Sequence, residues 1–220
     1  MTKPGVFVVL EGLDGSGTTT QVELLHQWFM GEGLQYGKCV STCEPSLGPA
    51  GCIVRLALLH RIKLDSRAMA LLFAADRMDH LYKADDGLQE PGLHHLIERG
   101  VHVVSDRYLL SSLAYQSLDL PMDWILQINA QALLPDLTIF LDIDPKVSLA
   151  RLRQGRSHED LFESADTQTQ VRLQYEEAIS LLLSKGQPIS RVNGDQPADC
   201  VHRDIIEILL PLLDNKKHYA

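Results

Sequence analysis

A glycine-rich segment near the start of the chain has the spacing of a phosphate-binding loop. It follows the apolar run 6–10. In a G-x-x-x-x-G-K-[ST] loop, backbone N–H groups converge on phosphate oxygens and the final hydroxyl ligates Mg²⁺. Thr19 supplies that hydroxyl, but Thr18 stands where such loops carry lysine. The residues predicted to hold phosphates are Gly12, Leu13, Asp14, Gly15, Ser16, Gly17, Thr18 and Thr19.

Two other segments carry side chains suited to a planar, phosphorylated ligand. Phe73 and Arg77 are four residues apart, so they share one face of a helix. An aromatic plane beside a guanidinium donor suits a nucleobase. Asp106 and Arg107 directly follow another apolar run, and an arginine in that position is a natural fork for a monophosphate. These patterns predict a second anion site beside the loop.

A dense polar run, 151–160, interrupts a helical pattern and carries three arginines. Arg151, Arg153 and Arg156 lie around Gly155. Arginines around a glycine hinge are typical of a mobile lid that closes over phosphates, and a solvated surface loop is the alternative interpretation. Phosphoryl transfer requires a backbone cradle, Mg²⁺ and positive charge that completes the site on closure. The chain offers residues for all three.

Alternating strands and helices must position these residues. Five runs rich in valine, isoleucine and phenylalanine occur at 6–10, 38–42, 101–105, 137–142 and 188–192. Helical patterns separate them, which predicts an α/β fold with a five-stranded parallel sheet. Ligands of such sheets bind beyond the carboxyl ends of the strands, where we expect Glu11, Glu44, Asp106 and Asp142. The predicted core stripes of three helices are Val22, Leu25 and Phe29; Val171, Tyr175, Ile179 and Leu182; and Val201, Ile205, Ile208 and Leu212.

Length and composition indicate one globular domain, 1–220, with 45% hydrophobic and 22% charged residues. A formal net charge of −9 argues against a nucleic-acid partner. The apolar runs are far shorter than the roughly eighteen residues of a membrane span, and the N-terminus lacks a signal-peptide layout. We therefore expect a cytoplasmic protein without a membrane partner.

The cysteines and histidines do not predict a metal site. The nine histidines are scattered along the chain, and no two cysteines form a C-x-x-C pair. We expect reduced thiols at Cys39, Cys43, Cys52 and Cys200.

Three motifs together resemble the thymidylate kinase family. They are Phe-Val-Val-Leu-Glu-Gly-Leu-Asp-Gly-Ser-Gly at 7–17, Leu-Leu-Phe-Ala-Ala-Asp-Arg at 71–77 and Asp-Arg-Tyr-Leu-Leu-Ser-Ser-Leu-Ala-Tyr-Gln at 106–116. The third is the most specific, and the resemblance covers nearly the whole chain. It implies the P-loop nucleoside-monophosphate-kinase fold with a lid at about 151–165, and a homodimer. It also implies Mg²⁺-dependent transfer of the γ-phosphate of ATP to dTMP, giving dTDP.

The resemblance also implies roles for individual residues. Phe73 would stack on thymine and Arg77 would hydrogen-bond its edge. Arg107 would grip the dTMP phosphate, and Asp14 would lie near the acceptor and the metal. Tyr115 would disfavour a ribose 2′-hydroxyl. The expected acceptor-binding residues are Glu44, Phe73, Arg77, Asp106, Arg107, Ser112, Tyr115 and Gln116, and the expected metal ligands are Thr19 and Asp106. Glu44-Pro45 resembles a family turn in which a cis bond often precedes the proline.

The chain departs from the family pattern at three places. Thr18 replaces the loop lysine, Cys43 replaces an arginine, and the segment 159–163 lacks the arginine that usually follows the lid aspartate. The first two departures remove two positive charges from a site for several negative ones. Loss of one fixed donor typically costs about 10²–10³ in rate, so activity requires compensation.

We expect the lid to compensate. Arg156 is the first choice to reach the β and γ phosphates because it lies past Gly155, and Arg153 is the second. The predicted catalytic residues are Arg156, Arg153, Asp14 and Arg107. Two alternatives stay open: a catalytically weak nucleotide-binding protein and a deoxynucleoside kinase that phosphorylates thymidine.

Overall fold

A computed structural model describes residues 3–84, 91–155 and 165–217. Its strands are β1 Phe7–Gly12, β2 Cys39–Cys43, β3 His102–Asp106, β4 Leu137–Asp142 and β5 Ile189–Asn193. Its helices are α1 Thr18–Met30, α2 Pro49–Leu58, α3 Ser66–Tyr82, α4 Leu93–Glu98, α5 Leu109–Gln116, α6 Met122–Ile128, α7 Pro145–Gly155, α8 Ala165–Ser184 and α9 Ala198–Lys217. A short 3₁₀ turn spans Leu34–Tyr36.

The strands form one parallel sheet in the order β2-β3-β1-β4-β5. Helices cover both faces, so the central strands are buried on both sides. This burial explains why their sequences are nearly continuous apolar runs. This architecture confirms the predicted α/β class and the five-stranded parallel sheet of a P-loop nucleoside-monophosphate-kinase fold. β1 lies between β3 and β4, which places the end of β1 at the middle of the sheet edge.

The strand boundaries differ slightly from the prediction. β4 has the predicted bounds, and each of the other strands ends one or two residues later than predicted. Glu11 therefore lies inside β1, where its side chain is completely buried. Its carboxylate accepts hydrogen bonds from backbone N–H groups at the N-terminal end of α5, which explains how a charged residue can be buried inside a strand.

Two apolar clusters pack on opposite faces of the sheet. One holds α5 and α8 against β1, β3 and β4, and the other holds α1 and α9. The predicted stripes of α1 and α8 are buried. In α9 the deeply buried stripe runs through Leu209 and Leu213, whereas Ile208 and Leu212 are only partly buried. The buried residues of α9 are spaced by four along the whole helix, which keeps them facing the sheet. The predicted stripe was therefore wrong by one residue in its second half.

The helices of the described ranges all include polar or charged residues. None of them is both long enough and apolar enough to cross a membrane.

Candidate functional site

The glycine-rich loop joins β1 to α1 at the middle of the sheet edge. Gly15 and Gly17 adopt positive φ angles of 80° and 97°, which glycine tolerates without strain. The Ser16 N–H donates to the Leu13 carbonyl at 3.0 Å and closes the turn. Gly17 precedes the first turn of α1, and no described side chain caps that helix end. The positive end of the α1 dipole therefore faces the loop and favours an anion.

A cavity of about 580 Å³ opens above this loop, and we call it the donor cavity. It extends toward the segment after β5. Six of the eight predicted loop residues line it, whereas Gly12 and Leu13 are buried beneath it. Its lining is Asp14, Gly15, Ser16, Gly17, Thr18, Thr19, Thr20, Gln21, Arg107, Arg151, Leu152, Gly194, Gln196, Ala198 and Val201.

The arginines predicted to compensate for Thr18 lie in different places. Arg156 lies outside the described residues. Arg153 is exposed on α7 and is not part of the donor-cavity lining. Arg151, which was assigned to the lid but not as a compensating charge, lines the cavity and donates to the Gly194 carbonyl at 2.9 Å. Its guanidinium also lies 3.6 Å from the Asp195 carboxylate, so it is positioned beside the segment after β5.

A second cavity of about 370 Å³ adjoins the first, and we call it the acceptor cavity. All eight predicted acceptor residues line it, although they come from β3, the segment after β3, α3, α5 and the turn after β2. Its lining is Asp14, Thr19, Cys43, Glu44, Pro45, Arg55, Leu58, Phe73, Arg77, Asp106, Arg107, Tyr108, Ser111, Ser112, Tyr115 and Gln116. The Glu44–Pro45 bond in this turn is cis, as the resemblance implies.

The two cavities meet at three shared lining residues. Asp14, Thr19 and Arg107 belong to both linings. Arg107 Nη2 donates to Asp14 Oδ1 at 2.5 Å, which ties the glycine-rich loop to the end of β3. Two anionic ligands that filled the cavities would therefore approach each other beside a fixed guanidinium and a carboxylate.

Arg107 has a backbone and a side chain that are both constrained. Its φ of 69° is rare for a residue with a side chain, and such conformations concentrate at functional sites. Its N–H donates to the Leu10 carbonyl at 2.8 Å. Nη1 donates to the Gly12 carbonyl at 2.9 Å and to the Tyr175 hydroxyl at 3.2 Å. The guanidinium is thus held at the cavity junction by backbone and side-chain acceptors.

A buried polar cluster lies behind Arg107. Glu11 accepts from the N–H groups of Tyr108 at 2.9 Å and Ser111 at 3.1 Å, and also from the Ser111 hydroxyl. Burial raises the pKa of the Glu11 carboxyl, opposed by the Ser111 hydrogen bond and the Arg107 charge. Burial also raises the pKa of the Tyr175 phenol, which therefore remains a neutral donor to the Gly12 carbonyl at 2.9 Å. The cluster couples β1 to the start of α5.

Arg77 is 1% exposed and pairs with Glu44 on the floor of the acceptor cavity. Its Nε lies 2.9 Å and its Nη2 2.7 Å from Glu44 Oε2. Its guanidinium carbon lies 4.7 Å from the ring centre of Tyr108. His80 Nδ1 lies 3.4 Å from the other Glu44 oxygen, and its Nε2 lies 2.8 Å from the Thr42 hydroxyl. The predicted base-reading arginine is thus a fixed donor rather than a mobile surface charge.

Thr19 and Asp106 form the pair predicted to ligate a metal. The Thr19 hydroxyl donates to Asp106 Oδ2 at 2.5 Å. Asp106 Oδ1 is buried and has no hydrogen-bond partner in the described part of the chain. Mg²⁺ takes one or two protein oxygens plus water and phosphate oxygens, so a hydroxyl and an orphaned carboxylate oxygen fit it. Within residues 3–84, 91–155 and 165–217, no cluster of three or more His, Cys, Asp or Glu could hold a metal by itself.

Several contacting residues were not predicted as site residues. Arg55, on α2, lines the acceptor cavity and donates to the Pro45 carbonyl, with Nη2 3.4 Å from the Cys43 sulfur. It therefore places a guanidinium beside the position where the family pattern has arginine. No motif pointed to Arg55. A signal did exist for Tyr175, since a tyrosine in an apolar stripe brings a hydroxyl that needs a partner.

Asp142, expected at the ligand crevice, lies in a different arrangement. It accepts from Arg172 at 2.7 Å and from Arg191 at 3.2 Å. Together with Glu176 these residues form an ion-pair network between α8, β4 and β5. Asp142 lines a separate cavity of about 410 Å³ and neither of the two described above. We therefore assign it a structural role.

Comparison with known sequences identifies the relatives of this chain. The sequence profile of the thymidylate kinase family matches residues 10–205. A protein of Thermococcus kodakarensis named probable thymidylate kinase is 35% identical over 218 residues, which cover 94% of this chain and 98% of the relative. A protein of Pyrococcus abyssi with the same name is 36% identical, covering 93% and 96% of the two chains. The thymidylate kinase of Leifsonia xyli is 36% identical, covering 92% and 93%. The chain belongs to the thymidylate kinase family.

Proposed function

We propose that the protein transfers the γ-phosphate of ATP to dTMP, giving dTDP and ADP. The observation that carries the proposal is the junction of the donor and acceptor cavities at Asp14, Thr19 and Arg107. Phosphoryl transfer needs two anions placed end to end and positive charge around the transferred group. Membership of the thymidylate kinase family supports the same assignment and identifies the acceptor.

The acceptor cavity supplies the groups that a pyrimidine monophosphate requires. Phe73 offers an aromatic face for the base, and Arg77 offers a fixed N–H donor for its edge. Arg107 supplies the fork for the phosphate, and Arg55 adds a second guanidinium. Tyr115 and Gln116, both on α5, would contact the sugar and the base. A nucleoside brings no phosphate to pair with these guanidinium groups, which favours a monophosphate acceptor.

Mg²⁺ is the cofactor that this site fits. Thr19 and Asp106 would hold it through the threonine hydroxyl and the orphaned carboxylate oxygen. When bound, Mg²⁺ neutralises charge on the transferred phosphate oxygens. A shared Mg²⁺ would also account for the contact between Thr19 and Asp106 beside the junction of the cavities.

We keep the lid at about 151–165 as the source of the charge that Thr18 does not provide. Arg156 is the first choice and Arg153 the second. Arg156→Ala should lower kcat by orders of magnitude, because loss of a donor to transition-state charge costs about 10²–10³ in rate. Lys146→Ala, an exposed charge at the other end of α7, is the matched control and should keep the wild-type rate. An unchanged kcat in the arginine variant would contradict lid compensation.

A second test addresses the loop itself. If the lid replaces the missing ammonium group, Thr18→Lys should keep or raise ATP affinity, measured by equilibrium titration. Collapse of ATP binding in this variant would mean that Thr18, which is buried at the start of α1, has a specific role of its own.

The enzyme acts as a homodimer in this proposal. Apolar side chains on α2, on α3 and between them are exposed, which is unusual for a surface without a partner. They are Ile53, Leu56, Leu59, Ile62, Leu64 and Leu71. A second copy of the chain is the occupant we assign to this face. We also assign a cytoplasmic location, where the four free cysteines would remain reduced.

The decisive assay measures ADP release with ATP and Mg²⁺ present. Release that depends on dTMP and is absent with thymidine supports the proposal. Release with thymidine indicates a deoxynucleoside kinase. Binding of both nucleotides without release indicates the catalytically weak nucleotide-binding protein.

A further inference from the structure

The guanidinium of Arg77 has nearly all of its hydrogen-bonding capacity committed. A guanidinium carries five N–H groups. Two of them, on Nε and Nη2, face Glu44 Oε2, and the second Nη2 N–H donates to the Ser112 hydroxyl at 3.0 Å. One Nη1 N–H donates to Asn129 Oδ1. A single N–H on Nη1 is therefore left for a ligand in the acceptor cavity.

Asn129 is fixed as firmly as the arginine that it contacts. It directly follows α6, and only 3% of it is exposed. Its Nδ2 donates to the Ile125 carbonyl at 2.9 Å, which turns the amide oxygen toward Arg77. The amide cannot rotate without losing both bonds. Asn129 thus determines which Nη1 N–H is occupied and which one is free.

We infer that Asn129 is a specificity-determining positioning residue for the nucleobase. With Asn129 in place, the acceptor cavity offers the base a donor that cannot turn away. A pyrimidine with a carbonyl oxygen at its position 4 accepts that hydrogen bond. A pyrimidine with an amino group there directs a second donor at the guanidinium and leaves a buried N–H unpaired, which is costly. This inference rests on the proposed function and names a residue that sets its selectivity.

Two variants of Asn129 distinguish a positioning role from a merely structural one. Asn129→Asp keeps an acceptor oxygen for Arg77 and loses the donor to Ile125. Asn129→Leu keeps the approximate size of the side chain and loses both bonds. With leucine, Arg77 keeps its bonds to Glu44 and Ser112, but both Nη1 N–H groups lack a protein partner. The Nη1 end of the guanidinium can then tilt, and it offers the cavity two donors instead of one donor directed at a single position of the base.

The test compares dTMP with dCMP in the full-length protein. Dissociation constants for each nucleotide and kcat/KM for each acceptor are measured in the wild type and both variants. We expect Asn129→Leu to lower the dTMP-to-dCMP preference at least about tenfold, since a site built around a buried hydrogen bond owes its selectivity to that bond. Asn129→Asp should stay within about threefold of the wild-type preference, because its acceptor oxygen remains.

A control variant shows whether a general loss of stability by itself changes the dTMP-to-dCMP preference. Leu213→Ala lies in α9, in the apolar cluster on the opposite face of the sheet, and lowers the melting temperature without touching the cavity. It should keep the wild-type preference. The inference is overturned if Asn129→Leu also keeps that preference, or if Asn129→Asp loses it as completely as the leucine variant. A wild type that binds dTMP selectively but forms no dTDP would overturn the proposed function and leave this test intact, because the dissociation constants still report on Asn129.

Discussion

At the scale of single residues, the site depends on guanidinium groups that are fixed before any ligand binds. Arg107 is held by Asp14, by the Gly12 carbonyl and by the Tyr175 hydroxyl. Arg77 is held by Glu44. Preorganised donors stabilise developing charge without reorganisation during the reaction, so such positioning contributes to rate as well as to binding.

Arg107 should be indispensable for the use of dTMP. We expect Arg107→Ala to lower kcat/KM for dTMP by about 10²–10³, since it removes a positioned donor to phosphate. Arg107→Lys should recover only part of this loss, because lysine keeps the charge but not the fork. Steady-state kinetics with varied dTMP give the values.

Arg67→Ala is the matched control for this prediction. Arg67 is an exposed arginine paired with Asp65, and its removal should not change kcat/KM. An Arg107→Ala variant as active as this control would contradict the assigned phosphate contact.

Sequence motifs identified much of the acceptor cavity but not the contacts that hold it together. Phe73 and Arg77 were predictable because a spacing of four residues defines one helix face. Asn129 and Arg55 were not predictable, since neither belongs to a motif and they lie in separate parts of the chain, Arg55 on α2 and Asn129 directly after α6. Their importance depends on long-range contacts that only the folded chain reveals. The roles assigned to the site residues remain predictions.

At the scale of elements, α8 is fastened to the sheet by charges as well as by apolar packing. Arg172 and Arg191 both pair with Asp142 and Glu176, and each guanidinium carbon lies 5.5 Å from the ring centre of Phe140. The hydrogen bond from Arg191, opposed by partial burial and reinforced by Arg172, lowers the pKa of Glu176 to about 2. Ionised Glu176 therefore stabilises the folded state.

The pH dependence of stability should report this network. Because the pKa of Glu176 is lower in the folded state, its contribution is present above about pH 4.5 and is lost as the pH falls toward 2. We expect Glu176→Gln to lower the free energy of unfolding by about 1 kcal/mol or less near neutral pH, since the pairs are partly exposed. The difference from wild type should shrink on acidification. Urea unfolding at several pH values measures it.

Glu177→Gln provides the comparison, because Glu177 is exposed on the next position of α8 and no ion pair involves it in the described structure. Its stability profile should follow the wild type. If Glu176→Gln behaves in the same way, the network contributes nothing measurable.

Elements were the most predictable level of the fold. Five apolar runs gave five strands because buried parallel strands require apolar side chains on both faces. The position of Glu11 inside β1 was not predictable, because a fully buried carboxylate is tolerated only through its partners on α5. The register of the α9 stripe was also missed, since adjacent leucines and isoleucines fit more than one helical face.

At the scale of the whole molecule, the apolar face of α2 and α3 should bury itself against a second copy. Leu56 and Leu71 are about half exposed, at 44% and 50%. A glutamate at either position places a charge in the interface, which is costly when unpaired. We expect Leu56→Glu and Leu71→Glu to sediment as monomers and the wild type as a dimer.

Leu183→Glu controls for the effect of an added surface charge. Leu183 is 49% exposed on α8 rather than on the α2–α3 face, and its variant should remain dimeric. A monomeric wild type at micromolar concentration would contradict the assigned occupant of the α2–α3 face.

The central claim is that a phosphoryl group passes directly from a nucleotide in the donor cavity to one in the acceptor cavity, across Asp14, Thr19 and Arg107. Its most direct test uses ATP labelled in the γ-phosphate, with dTMP and Mg²⁺, and identifies the labelled product. We predict that the label appears in the terminal phosphate of dTDP. Label found only in inorganic phosphate, or remaining in ATP at saturating dTMP, would contradict the account.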